Sequence, residues 1–150
     1  MADIRTEITI PAPTADVWRV LFDMEAYSGW NTLVTAVRGA PLPGGTIRIR
    51  LKVGKLPALW VPVIVETLRP GERLCWSFTL PFRILRAEHC FSLSKEPDGS
   101  TRFLNTERFT GLLGGVAGTL MNRLFLDDYR GMDSSLAARV AAGRHAVTAA

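Results

Sequence analysis

Ile4, Thr6, Ile8 and Ile10 alternate with Arg5, Glu7 and Thr9, which predicts a strand with one wet face, ended by Pro11 and Pro13. Thr14 then stands where a helix cap is expected, ahead of Asp16 and an apolar side made by Val17, Trp18, Leu21 and Phe22. A second short turn is expected over residues 23–27, broken by Ser28 and Gly29. A modest strand follows over residues 33–37, and Pro41, Pro43, Gly44 and Gly45 turn the chain. Residues 46–53 carry the clearest alternation, with Ile47, Ile49, Leu51 and Val53 on one face and Thr46, Arg48, Arg50 and Lys52 on the other.

Residues 59–68 are almost continuously apolar, the pattern of a strand covered on both faces, yet Pro62 argues for an edge or a bulge. Leu74, Trp76 and Phe78 alternate with Arg73, Cys75, Ser77 and Thr79 in the next strand. Two more strands, residues 84–94 and 101–110, are joined by Glu96-Pro97-Asp98-Gly99-Ser100, which fits a type I turn followed by a left-handed glycine. A three-residue loop pairs Glu96 with Ser100, and hence Leu93 with Phe103, Phe91 with Asn105 and His89 with Glu107. That register gathers the large apolar residues on one face, whereas a two-residue loop sets Phe91 and Leu93 beside Arg102 and Arg108.

The last element is the longest. Ala117, Met121, Phe125, Met132, Leu136 and Val140, with Leu120 and Leu124 beside them, form a helical stripe over residues 114–142. Such a stripe needs a sheet to lie on. Gly111, Gly114, Gly115 and Gly118 soften its start, and Gly131 marks an expected close helix-to-sheet contact. The order predicts an α+β domain: a seven-stranded antiparallel sheet curled around the C-terminal helix, with two short helices after the first strand. It spans residues 1–144, with a disordered tail expected over 145–150, where His145 sits in an Ala-rich run.

In this order the chain resembles a known family. "ITIPAPTADVWRVLFDMEAYSGWN", "AEHCFSL", "TRFLNTERFTGLLGG" and "YRGMDSSLAARV" together resemble the START-like, polyketide cyclase/dehydrase (SRPBCC) superfamily with its helix-grip fold. The resemblance covers nearly the whole chain and implies a cavity for a hydrophobic ligand between the sheet and the last helix. It also implies that Trp30 and Asn31 lie in a loop near the cavity mouth; the alternative is that Trp30 plugs the core.

Candidate chemistry is sparse. A carboxylate and an imidazole facing an apolar interior are costly unless they pair with each other or with a ligand, so Glu107 and His89 are candidates for a polar anchor, for an acid/base pair, or for a structural cross-strand pair. Asn105 on the same face either orients a ligand carbonyl or bonds a backbone group. Ile49, Leu51, Trp76, Phe78, Phe91, Phe103 and Phe109, with Met121 and Phe125 on the helix, either line a cavity or fill it. Tyr129 either narrows the pocket or projects outward.

Composition removes other classes. The chain of 150 residues has 47% apolar residues and a net charge of +4 with no basic run, so a nucleic-acid partner is not expected. The glycines of "GLLGGVAG" lack the context of a dinucleotide or phosphate loop, no Gly-flanked Ser nucleophile occurs, and Asp127-Asp128 reads as a solvated patch. Cys75 and Cys90 belong to no metal-ligating cluster, and neither metal nor cofactor is expected. With no signal-like start and no apolar stretch long enough for a membrane span, a cytoplasmic protein with free thiols is expected. Three functions remain: a carrier or binder of a small hydrophobic or aromatic ligand, a cyclase- or dehydratase-like enzyme using Glu107 and His89, or an interaction or stress-response module. Oligomeric state is not legible.

Overall fold

The computed structural model describes residues 3–149, and of residues 146–149 it describes the backbone only. The first strand, β1 (Ile4–Ile10), leads into the helix α1 (Thr14–Phe22) and a 3-10 turn at Met24–Gly29. Six strands follow: β2 (Val34–Arg38), β3 (Thr46–Leu51), β4 (Leu59–Arg69), β5 (Arg73–Thr79), β6 (Arg86–Lys95) and β7 (Thr101–Thr110). The chain ends in the helix α2 (Gly114–Ala149). This helix continues past residue 144, where the sequence pattern ends the domain; His145 is exposed on it and Ala150 lies outside the described residues.

The strands form one antiparallel sheet in the order β1-β7-β6-β5-β4-β3-β2, curled into a half-barrel around α2. Meandering hairpins build it from β2 to β7, and β1 returns to pair with the last strand. The β6–β7 register is the one the turn dictates: Leu93 faces Phe103, Phe91 faces Asn105, and His89 faces Glu107. Gly99 has φ of +88°, its N–H bonds the Glu96 carbonyl at 3.0 Å, and the Asp98 carboxylate accepts from the Ser100 N–H at 2.9 Å. A residue with a β-carbon is disfavoured at that φ, so Gly99 helps fix the register.

Three local expectations change. Thr14 is the first helical residue and makes no capping bond; the preceding Pro13 is the cap position. Gly131 does not mark a close helix-to-sheet approach, because an added β-carbon there meets only the Thr32 hydroxyl oxygen, at an ordinary 3.7 Å. β4 is an interior strand with one wet face: Val63 and Val65 are buried while Pro62, Ile64 and Glu66, which alternate with them, are exposed. Its pairing with β5 begins at Ile64, however, so residues 59–63 have no ladder partner on that side and Pro62 sits on a locally free edge.

Cys75 and Cys90 are not free thiols. They stand opposite each other on β5 and β6, Cα atoms 4.2 Å apart, and are joined as a disulfide on the outer face, where the Arg73 Nε–H points at the Cys75 sulfur at 3.2 Å. The free thiols expected of a cytoplasmic protein are thus replaced by a disulfide. Among the described residues, no helix is long and apolar enough to cross a membrane.

The core lies where the C-terminal half of α2 meets the sheet. Tyr129, Met132, Leu136 and Val140 are buried against Ile4, Phe91 and Phe103, with Val17 and Leu21 of α1 alongside. Stripe members Leu120 and Leu124 stay exposed. α2 packs chiefly on β1, β7 and α1, and Met121 and Phe125 in its N-terminal half are only half-buried.

Candidate functional site

The inner face of the sheet grades from closed to open. Phe103 and Phe91, then His89 and Trp76, occupy successive rows and are buried. Their rings pack on one another: Phe91 lies 5.9 Å from Phe103, 5.3 Å from Trp76 and 4.5 Å from His89, centroid to centroid. These aromatics fill space instead of lining it. One row further, Phe109 is buried but Ala87 and Phe78 are only half-buried, as are Leu51, Val53 and Val61 on β3, the loop after it and β4. Met121 and Phe125 on α2 are half-buried too. Ile49, between the two regimes, is buried.

The open end has a physical cause. The β4–β5 ladder stops at Ile64 and Ser77, so Val61 and Phe78 lie where the sheet splays. Across from them the helix begins with glycines. At Gly111, φ is +97° and an added β-carbon would lie 2.4 Å from the Arg83 carbonyl oxygen, so only glycine fits. The loop after β3 reaches over to the helix, where the Gly54 N–H donates to the Asp128 carboxylate at 3.1 Å and Gly54 lies against the Phe125 ring.

His89 and Glu107 are opposite each other in register but do not bond. The Tyr129 hydroxyl donates to Glu107 Oε2, and His89 Nε2 meets Asn105 Oδ1 at 2.6 Å. Asn105 Nδ2 in turn donates to Asp133 Oδ1 at 2.8 Å. A carboxylate on one side of the amide fixes its orientation, so Asn105 offers its oxygen to His89 and the histidine proton sits on Nε2. Two chains result: His89–Asn105–Asp133, buried throughout, and Tyr129–Glu107, whose carboxylate is half-buried.

Burial pushes the Tyr129 phenol well above its usual value, and the Glu107 carboxylate adds to the rise. The phenol therefore keeps its proton and holds it toward Glu107. Burial also raises the Asp133 carboxyl, against the opposing pull of the Thr6 hydroxyl, Asn105 and His89. A carboxyl raised by folding gives its full stability below the unfolded-state pKa and loses part of it as pH climbs to the folded value. Asp133→Asn keeps an acceptor for Asn105 and removes the charge, so the variant is expected to melt higher than wild type at pH 7. That gap should close below about pH 4, the unperturbed carboxylate range, as followed by thermal melts across pH.

The remaining candidates fall nearby. Asn31 acts structurally through its Oδ1, which accepts from the Leu33 and Val34 N–H groups at 3.0 and 2.8 Å and starts β2; its Nδ2 has no acceptor. Trp30 is half-buried, stands edge-on to Tyr27 at 5.2 Å, and its buried indole N–H lacks an acceptor. Sequence reasoning missed Asp133 and left Tyr129 undecided. The signal for both was their place in the apolar stripe: Tyr129, Met132, Asp133 and Leu136 share one helix face, and a polar group there demands a partner. Among the described residues no cluster of His, Cys, Asp and Glu could hold a metal ion.

The sequence profile described as "Polyketide cyclase / dehydrase and lipid transport" matches residues 1–141. A comparison with curated proteins gives no match. Solved structures with the same fold include TTHA0849 of Thermus thermophilus, at 22% identity and a TM-score of 0.69 over 94% of this chain and 98% of that one. A protein of Thermobifida fusca is 23% identical with a TM-score of 0.68, covering 93% of each chain. NE0264 of Nitrosomonas europaea is 14% identical with a TM-score of 0.70, covering 95% of this chain and 96% of its own. At these identities the likeness is one of fold.

Proposed function

Since the chain belongs to the polyketide cyclase/dehydrase and lipid transport family, we propose that it binds a small hydrophobic or aromatic molecule between the sheet and the glycine-rich end of α2. The observation that carries this reading is the gradient of burial: the inner face is packed from Phe103 to Trp76 and half-open from Phe78 to Leu51. Half-open apolar walls of this kind gain from covering by an apolar guest, at about 25 cal/mol per Å² buried. Glu107 is the polar anchor in this reading, accepting a hydroxyl or N–H of the guest on the oxygen that Tyr129 leaves free.

An enzymatic reading puts the same carboxylate to work as a base, with the Tyr129 phenol beside it, while His89 is engaged by Asn105. The two readings separate on one variant. For a binder, Glu107→Gln weakens retention of the guest by about tenfold or less, the worth of one hydrogen bond, and there is no turnover to lose. The test is native mass spectrometry of the protein purified from its host, with and without the substitution. A co-purifying small molecule, partly lost in the variant, supports binding; a panel conversion rate that collapses in the variant supports catalysis, and an empty protein that takes up no apolar probe removes both.

A further inference from the structure

Outside the cleft, the described residues expose a cluster of large apolar side chains at the start of α2. Leu112 is 86% exposed and Val116 70%, with Leu113, Leu120 and Leu124 also exposed. Val116, Leu120 and Leu124 recur every fourth residue, so they form one stripe on the helix side turned away from the core. The loop between β5 and β6 adds Phe82, 95% exposed, and Ile84. That loop is tied to the helix start: the Leu113 N–H donates to the Ile84 carbonyl at 2.9 Å, and Gly111 leaves no room between itself and the Arg83 carbonyl.

Phe82 and Arg83 are consecutive non-glycine residues in the left-handed region, with φ of 57° and 52°. Few folds hold an aromatic there, and this one holds it out to solvent. Between Thr110 and Leu126 the only charged residue is Arg123, and neither Arg123 nor Arg83 has an ion-pair partner among the described residues. The nearest carboxylates, Asp127 and Asp128, begin one turn past Leu124 and are already engaged, Asp127 by Arg130 at 3.0 Å and Asp128 by the Gly54 N–H at 3.1 Å.

We propose that this face, Phe82, Leu112, Val116, Leu120 and Leu124 with Arg83 and Arg123, docks reversibly on an anionic lipid surface. Apolar side chains enter the acyl boundary while the two guanidinium groups meet lipid phosphates. A second copy of the chain fits less well, because an isologous contact brings Arg83 and Arg123 of both copies to one interface while the nearest exposed carboxylate, Asp127, is held by Arg130. An acidic protein partner would need a shaped groove for a convex helix stripe plus a protruding loop tip, whereas fluid lipid conforms to both. The inference does not depend on a guest in the cleft.

The test is co-sedimentation of the whole chain with vesicles of phosphatidylcholine alone or mixed equally with phosphatidylglycerol. Wild type is expected to bind the mixed vesicles at least about tenfold better than the neutral ones and to release them as salt rises. Phe82→Ser combined with Leu112→Ser and Val116→Ser is expected to lower binding by at least about tenfold, and Arg83→Gln and Arg123→Gln by about fivefold each. All five side chains are exposed or unpaired, so the melting temperature should hold, which separates lost docking from lost folding. Absence of vesicle binding by wild type, or binding that the serine variant leaves unchanged, overturns the proposal. So does a dimer in sedimentation equilibrium that the serine variant dissolves while vesicle binding is nil. Uptake of an apolar probe measured without vesicles reports on the cleft separately and can succeed or fail on its own.

Discussion

Phe91→Ala is expected to cost about 4 kcal/mol of folding stability and to lower the melting temperature by roughly 12 °C. Phe91 is fully buried and its ring touches Trp76, His89 and Phe103, so truncation opens a cavity that three rigid neighbours on a paired sheet cannot close. The same change at Phe78, half-buried one row past Trp76, is expected to cost no more than about 2 kcal/mol, because water already reaches its ring. The contrast matters more than either value. Denaturant melts of the two variants compare a packed end with an open end, and equal losses would mean that the inner face is packed throughout.

Asn105→Ala is expected to cost about 3 kcal/mol by a different route. The amide joins His89 to Asp133, both buried, and no water can replace it without entering the core. Removing it strands an imidazole N–H and a carboxylate, each worth a desolvation penalty of about 1–3 kcal/mol, and leaves a small void besides. Chemical denaturation at pH 7 measures the loss. Adding Asp133→Asn should recover part of it, since one stranded group is then no longer charged; a double variant as weak as the single would break the link drawn between the two residues.

Much of this arrangement was legible in the chain because short-range signals carried it. The Glu96–Ser100 loop fixed the β6–β7 register, and the period-two runs fixed which face each strand turns inward. Candidates His89, Asn105 and Glu107 followed from that alone. Their partners did not, because α2 supplies them from 22 and 28 residues away along the chain, and helix phase against a sheet is set by packing, not by pattern. Thus His89 and Glu107 look like a pair in sequence and bond elsewhere in space.

The cysteines illustrate the same limit. They are 15 residues apart on strands whose register has no turn as telling as Glu96–Ser100, and one residue of slip would have put them on opposite faces. Pro62 was ambiguous for a related reason. Whether an interior strand tolerates it depends on where the neighbouring ladder stops, and β5 stops pairing two residues away. The opening beside Val61 and Phe78 is the same fact seen from inside.

The two methionines of α2 offer the most direct measurement of the central claim, because Met132 lies in the closed core and Met121 at the open end. With methyl-labelled methionine, titration with 2-naphthol followed by NMR is predicted to shift the Met121 methyl saturably while the Met132 methyl stays in place. A Met121 signal that does not move at saturating probe, or one matched by an equal shift of Met132, would contradict an apolar site at the glycine-rich end of the helix.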